Sequence, residues 1–290
     1  MAEVLQFCFS GLTVGAVYAL VALGFTIIYN ASDVVNFAQG EFVMLGGMVT
    51  VALAAAGMPL PVAAVAAVGV AAVVGVALHR LAIEPARGAS PVGLIIITIG
   101  ASIFIRGIAQ VVFDKQFHKL PAFSGDTPFA VLGATILPQS LWVLGGTAAI
   151  VVGLHVFFER TLIGKAVAAT AANRLAARLA GINTTSMMTL SFALAGAIGA
   201  VAGILVTPIT LTSYNVGTLL ALKGFAAGML GGIGNPLGAV LGGLMLGLIE
   251  AFGAGYLSSA YKDGIAFVVI LVVLFAFPRG LIGKRSAERV

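Results

Sequence analysis

Apolar residues in this chain come in blocks of about 20, the length that carries a helix across a ~30 Å hydrocarbon core. The blocks run near 5–29, 37–56, 60–80, 91–112, 138–158, 186–208, 216–233, 236–255 and 263–279. Backbone groups in lipid must be satisfied within their own segment, so helices are the default reading. The charge content agrees. Only 9% of residues are Asp, Glu, Lys or Arg, against about 25% in an ordinary soluble domain, too few to cover a soluble surface. Glycine, at 38 of 290 residues, suits helices that approach closely. The expected fold is all-α: a polytopic membrane helix bundle of about nine spans, with eight to ten possible.

The basic residues cluster at 79–87, 160–178 and 279–289. Positive loops stay cytoplasmic. Placing all three inside requires an outside N-terminus, a cytoplasmic C-terminus and an odd span count. The loop 113–137 then lies outside, where Lys115 and Lys119 are offset by Asp114 and Asp126. Spans 1–4 and 6–9 form two groups of opposite orientation, about 5–112 and 186–279, within one membrane domain covering 1–290. Such inverted halves are common in transporters. "MLGG" recurs at 44–47 and 229–232, in the second span of each half.

No cleaved signal is expected, because no basic stretch precedes the first apolar run. Cys8 is alone and forms no internal disulfide. Gly-Lys occurs in "LIGKAV" (162–167) and "LIGKRS" (281–286), but without the earlier Gly or the following Ser or Thr of a nucleotide-binding loop. No His-x-x-x-His, Cys-x-x-Cys or Gly-x-Ser-x-Gly pattern is present. The chain is therefore not expected to be an enzyme, to bind a metal or cofactor, or to bind nucleic acid. His79, His118 and His155 read as interfacial polar residues near span ends or in loops.

One polar stretch interrupts the apolar blocks. "NASDVVNFAQGEF" (30–42) carries Asp33, Asn36, Gln39 and Glu41 with no Lys or Arg. Asn36 and Gln39 have capping-box spacing, so Asn36 is expected to cap the second helix while Gln39 reaches back. Two readings stay open. Either this is a cytoplasmic turn, or the helix breaks inside the protein and its free N–H groups face a pathway where a carboxylate could be held.

Isolated charge in lipid is costly, so the buried ionisable residues need partners. We expect Glu41 to pair with Arg106 and Lys223 with Glu250, one pair in each half, either fixing helix packing or lining a passage. Thr98 and Ser102 are further pathway candidates, with Thr207, Ser213, Tyr214 and Asn215 weaker. The ladders Gly224-Gly228-Gly232 and Gly234-Gly238-Gly242 place small residues four apart on one face, as close helix packing requires.

The longest segment outside the membrane, 159–185, has 27 residues. Residues 166–180 favour helix, with Gly181 as a C-terminal stop. Val167, Leu175 and Leu179 recur at helical spacing, with Arg174 and Arg178 on a neighbouring face. A short amphipathic helix is expected on the cytoplasmic surface, resting on headgroups or docking into a partner.

"GAVYALVALGFTIIYNASDVVNFAQGEFVMLGG" (15–47), "AARLAGINTTSMMTLSFALAGAIGAVAG" (176–203), "GGIGNPLGAVLGGLMLGLIE" (231–250) and "FPRGLIG" (277–283) resemble, in order, the LivH-type permeases of branched-chain amino acid ABC transporters. That resemblance implies a heterodimer with a second related permease in a bacterial inner membrane. It also implies two cytoplasmic ATPases that carry the ATP and Mg, and a periplasmic binding protein that delivers an aliphatic amino acid. The helix at about 168–181 would then couple to an ATPase through Asn173, Arg174, Ala177, Arg178 and Gly181. Asn173 departs from the family pattern, which has an acidic residue there. The alternatives are an ABC permease for urea or amides, and an ion-coupled carrier or channel. Only the importer needs the cytoplasmic helix.

Overall fold

A computed structural model describes residues 2–259, 262–276 and 280–281. The end of the ninth apolar block (277–279), most of the 277–283 stretch, and Arg279, Lys284, Arg285 and Arg289 lie outside the described residues. The helices are α1 (Ala2–Ser32), α2 (Gln39–Ala55), α3 (Leu60–Leu78), α4 (Pro91–Phe113), α5 (Pro138–Arg160), α6 (Leu162–Ala172), α7 (Arg174–Leu179), α8 (Thr184–Thr210), α9 (Val216–Gly231), α10 (Pro236–Tyr256) and α11 (Lys262–Ala276). A π turn, His79–Ile83, extends α3.

Six of these helices are long and apolar enough to cross a membrane: α1, α3 with its π turn, α4, α5, α8 and α10. The chain is a polytopic membrane helix bundle. Helices α2 and α9 are apolar but short, at 17 and 16 residues, or about 25 Å each at helical rise.

Helix starts follow from local chemistry. Proline opens α4, α5 and α10 in the first turn, where its missing N–H costs nothing. Side chains of Ser90, Asn183 and Asn235 accept the free N–H groups of α4, α8 and α10. Asp114, at φ 69°, stops α4. Its Oδ1 accepts the Gln116 N–H at 2.6 Å, which holds the carboxyl below its usual range.

The bundle is built around α1 and α8, which pack against each other. Helix α1 packs along α10 and α9, as α8 packs along α3 and α2. Small residues permit both approaches. A Cβ on Gly11 would stand 2.8 Å from Leu248 Cα, and one on Gly15 2.8 Å from Leu244 Cα. On the other pair, Gly75 lies against the Phe192 carbonyl and Gly196 against that of Ala71. The glycine ladders also close within this chain. Gly224 meets Val21, and Gly242 meets the Ala227 carbonyl. Gly232 and Gly234 instead take the positive φ of the α9–α10 turn.

Contacts sort the loops into two ends. At one, Gln6 Oε1 accepts the Thr135 N–H, and His118 and Thr212 exchange backbone hydrogen bonds. At the other, Asn30 donates to the Gly234 carbonyl, Arg174 meets Asp33, and Arg87 meets Glu84 and Thr185. The second end carries the two basic clusters at 79–87 and 160–178.

Two expectations need correction. A hairpin, β1 (Phe129–Val131) with β2 (Ala134–Ile136), stands where only loop was expected, turning at Leu132 and Gly133 with positive φ. The single surface helix is two helices. Asn173 ends α6 in an extended conformation, and its Oδ1 accepts the Ala176 N–H to start α7. The break rotates one half against the other, so Val167 is buried while Leu175 and Leu179 are exposed.

Candidate functional site

Helix α1 continues to Ser32, and the chain then unwinds over 33–38. Asp33 is exposed at the basic end, with φ 55°, and bonds Arg174. From there the chain turns inward, and Val34, Asn36 and Ala38 are buried. Thr98 Oγ1 accepts the Phe37 N–H at 3.2 Å. Thr98 is the eighth residue of α4, about 10 Å from its start at helical rise. The stretch is thus an unwound re-entry: it begins at the surface and ends inside the bundle.

The capping box does not form. Ala38, not Asn36, occupies the N-cap position of α2, and no side chain caps it. Asn36 Oδ1 accepts the Ala38 N–H across a local turn. Gln39 turns away and donates to the Ala195 carbonyl of α8 at 3.1 Å. Its amide fills the space left by Gly24, where any Cβ would strike it. Tertiary packing has taken the side chain that local capping would have used.

The start of α2 meets the start of α9. Gly40 and Gly217 abut, and a Cβ on either would strike the other's carbonyl. The third residue of each helix then faces α4. Ser102 Oγ donates to Glu41 Oε1 at 2.8 Å, and Arg106 Nη1 donates to Thr218 Oγ1 at 2.6 Å. The expected Glu41–Arg106 ion pair does not close, because each charge has taken a neighbouring hydroxyl. Glu41 is 1% exposed, and its Oε2 has no hydrogen-bond partner. The other such buried atoms among the described residues are Asn36 Nδ2 and Gln39 Oε1, both in the same stretch.

The second expected pair forms. Lys223 Nζ lies 3.0 Å from Glu250 Oε1, with both side chains buried. Three partners went unforeseen. Tyr18 donates to Glu250 Oε2 at 2.8 Å, Lys262 reaches Glu250 at 3.1 Å, and Asp263 reaches Lys223 at 2.6 Å. The Lys223 ammonium also stands over the Tyr18 ring, 5.5 Å from its centroid. A cavity of about 300 Å³ between α1 and α10 is lined by Gln6, Ser10, Glu250 and Lys262 among others. Opposite charges balance across four ionised groups, which suits a site where isolated charge is costly.

The weaker candidates are less informative. Thr207 donates to its own helix at the Gly203 carbonyl, and Ser213 donates to Asn215. Tyr214 packs against the apolar cluster of α2 and α8. At the basic end, Ala177 is buried, Arg178 donates to Thr184, and Gly181 closes α7 at φ 84°.

Sequence reasoning missed Tyr18, Thr218, Lys262 and Asp263, and it named Asp33 without its contact to Arg174. Only Thr218 carried a usable signal: like Glu41, it is the third residue of a short apolar helix that follows a long one. Tyr18 lies 232 positions from Glu250, and no local pattern points across that distance.

A buried Glu41 beside the half-buried Arg106 where two short helices start, inside a polytopic bundle, points to a membrane transport protein. Residues 7–274 match the family described as branched-chain amino acid transport system / permease component. The chain is 33% identical to the high-affinity branched-chain amino acid transport system permease protein LivH of Escherichia coli K12, over 99% of this chain and 97% of that protein. It is 34% identical to BraD of Pseudomonas aeruginosa, a protein of the same description, over 99% and 98%. It is 28% identical to a probable LivH of Methanocaldococcus jannaschii, over 91% and 88%. The chain belongs to this permease family, as the stretches at 15–47, 176–203 and 231–250 implied.

Proposed function

We infer that the chain is one of two related permease subunits of an ATP-driven importer for branched-chain amino acids, set in a bacterial inner membrane. Two cytoplasmic ATPases bind the ATP and Mg, and a periplasmic protein delivers the substrate. The observation that carries this reading is the elbow made by α6 and α7. Leu175 and Leu179, 69% and 83% exposed, form an apolar step among Arg174 and Arg178 at the basic end. Such a step fits a docking surface better than it fits bulk water. The Asp33–Arg174 contact links that step to the unwound stretch that leads to Glu41.

The same reading sets the topology. The basic end is cytoplasmic, which places the N-terminus and the loop 113–137 outside. Nine spans then include α2, α9 and α11. The matched packing of α1 on α10 and α8 on α3 supports two inverted halves, about 5–112 and 186–279. Helices α2 and α9 are counterparts that start from opposite faces and meet inside.

Co-expression with the two ATPases tests the assignment. The wild-type chain is expected to retain both through purification, and L175D/L179D to lose them while the permease pair stays assembled. Retention of the ATPases by that variant would refute the docking surface.

A further inference from the structure

Glu41 and Arg106 are opposite charges on facing helices that do not touch. Ser102 and Arg106 lie one turn apart on α4, on a common face. Glu41 and Thr218 are brought together by the Gly40–Gly217 contact. These four side chains form a ring in which each charge is held by a hydroxyl, and Ser102 and Thr218 keep the charges from pairing. The free Glu41 Oε2 turns toward α9, where a Cβ on Gly217 would stand 3.0 Å from it. A buried carboxylate oxygen without a donor is costly, and it is most simply accounted for by a donor that arrives.

The ring lies beneath an open face. Ile103 and Gly107 of α4 and Asn215 and Leu219 near the start of α9 are exposed, with Arg106 half-buried among them. Ser102 stands about 17 Å from the start of α4 at helical rise, near the middle of a ~30 Å core. A guanidinium at that depth facing lipid would be expensive. The face is therefore one that water or a second permease covers.

We propose that this ring is a zwitterion-binding site, in which Glu41 Oε2 accepts the α-ammonium of an amino acid and Arg106 donates to its α-carboxylate. Ser102 and Thr218 position the two charges and hold them apart until the substrate bridges them. The inference rests on the importer reading above and names the polar half of its recognition. The aliphatic side chain would lie along Ile103 and Leu219.

Two measurements on the purified full complex separate the inference from that reading: ATP-driven leucine uptake in vesicles tests the reading, and equilibrium binding tests the ring. Radiolabelled L-leucine is titrated against the complex without the binding protein. Wild type should bind. E41Q and R106Q should each weaken binding by about tenfold or more, the loss of one charged hydrogen bond, and R106K should recover part of it. 4-Methylpentanoate, which lacks the ammonium, should compete poorly with leucine on wild type. Binding of leucine by E41Q or R106Q within twofold of wild type overturns the ring. So does a wild-type complex that imports leucine yet binds none without the binding protein. If E41Q fails to assemble, R106Q decides, since Arg106 is only half-buried. Absence of leucine uptake, together with Glu41-dependent binding of another zwitterion such as glycine, would sink the importer reading and leave the ring standing.

Discussion

At the residue scale, burial decides what each charge is worth. Lys223 and Glu250 are both buried, so removing one deprives the other of a buried partner. K223M should cost about 3 kcal/mol of stability, softened by the Tyr18 and Lys262 contacts to Glu250. It would be read as a lowered unfolding temperature in detergent. The K223M/E250L double variant should recover much of that loss, because a well-packed apolar pair of similar volume can replace a buried ion pair. A double variant no more stable than K223M would show that the pair does more than satisfy itself. The Asp33–Arg174 pair is the opposite case, with side chains 80% and 37% exposed. D33A should change stability by less than about 1 kcal/mol, yet raise the ATP consumed per leucine imported if the elbow signals through this contact.

At the element scale, the meeting of α2 and α9 depends on two glycines. G40A drives a methyl into the Gly217 carbonyl, where neither backbone has room. It should destabilise by about 1–3 kcal/mol, the usual cost of overpacking. G100A meets nothing within 4 Å and should be neutral or slightly stabilising in the isolated chain, since Ala favours helix. Equal thermal stability of G40A and wild type would rule out the close approach. This scale also shows what a sequence can and cannot convey. The long apolar helices were legible because membrane thickness writes itself into block length. The Lys223–Glu250 pair was legible because two charges in oil need each other. The Glu41–Arg106 pair failed because Ser102 and Thr218, brought in by tertiary contact, offered each charge a nearer partner. The capping box failed for a similar reason, since Gly24 and the Ala195 carbonyl gave Gln39 a better place than its own helix start. The surface helix broke at Asn173, whose side chain caps a new helix more readily than it continues an old one.

At the scale of the whole molecule, the chain has a central pair of helices, α1 and α8, the first packed along α10 and α9 and the second along α3 and α2. The two short helices meet between them, and the α6–α7 elbow lies at the end that carries the basic clusters at 79–87 and 160–178. In the proposed mechanism, a movement imposed on the elbow would reach the re-entrant stretch through the Arg174–Asp33 contact, and through that stretch the start of α2. Force applied from outside the membrane domain would then have a path to the buried ring. The central claim is that this force comes from partner ATPases and not from the chain itself. The most direct test is leucine accumulation in vesicles, comparing the full complex with this chain alone. The account predicts ATP-dependent accumulation by the complex and none by the chain alone. Accumulation against a gradient by the purified chain alone would contradict it.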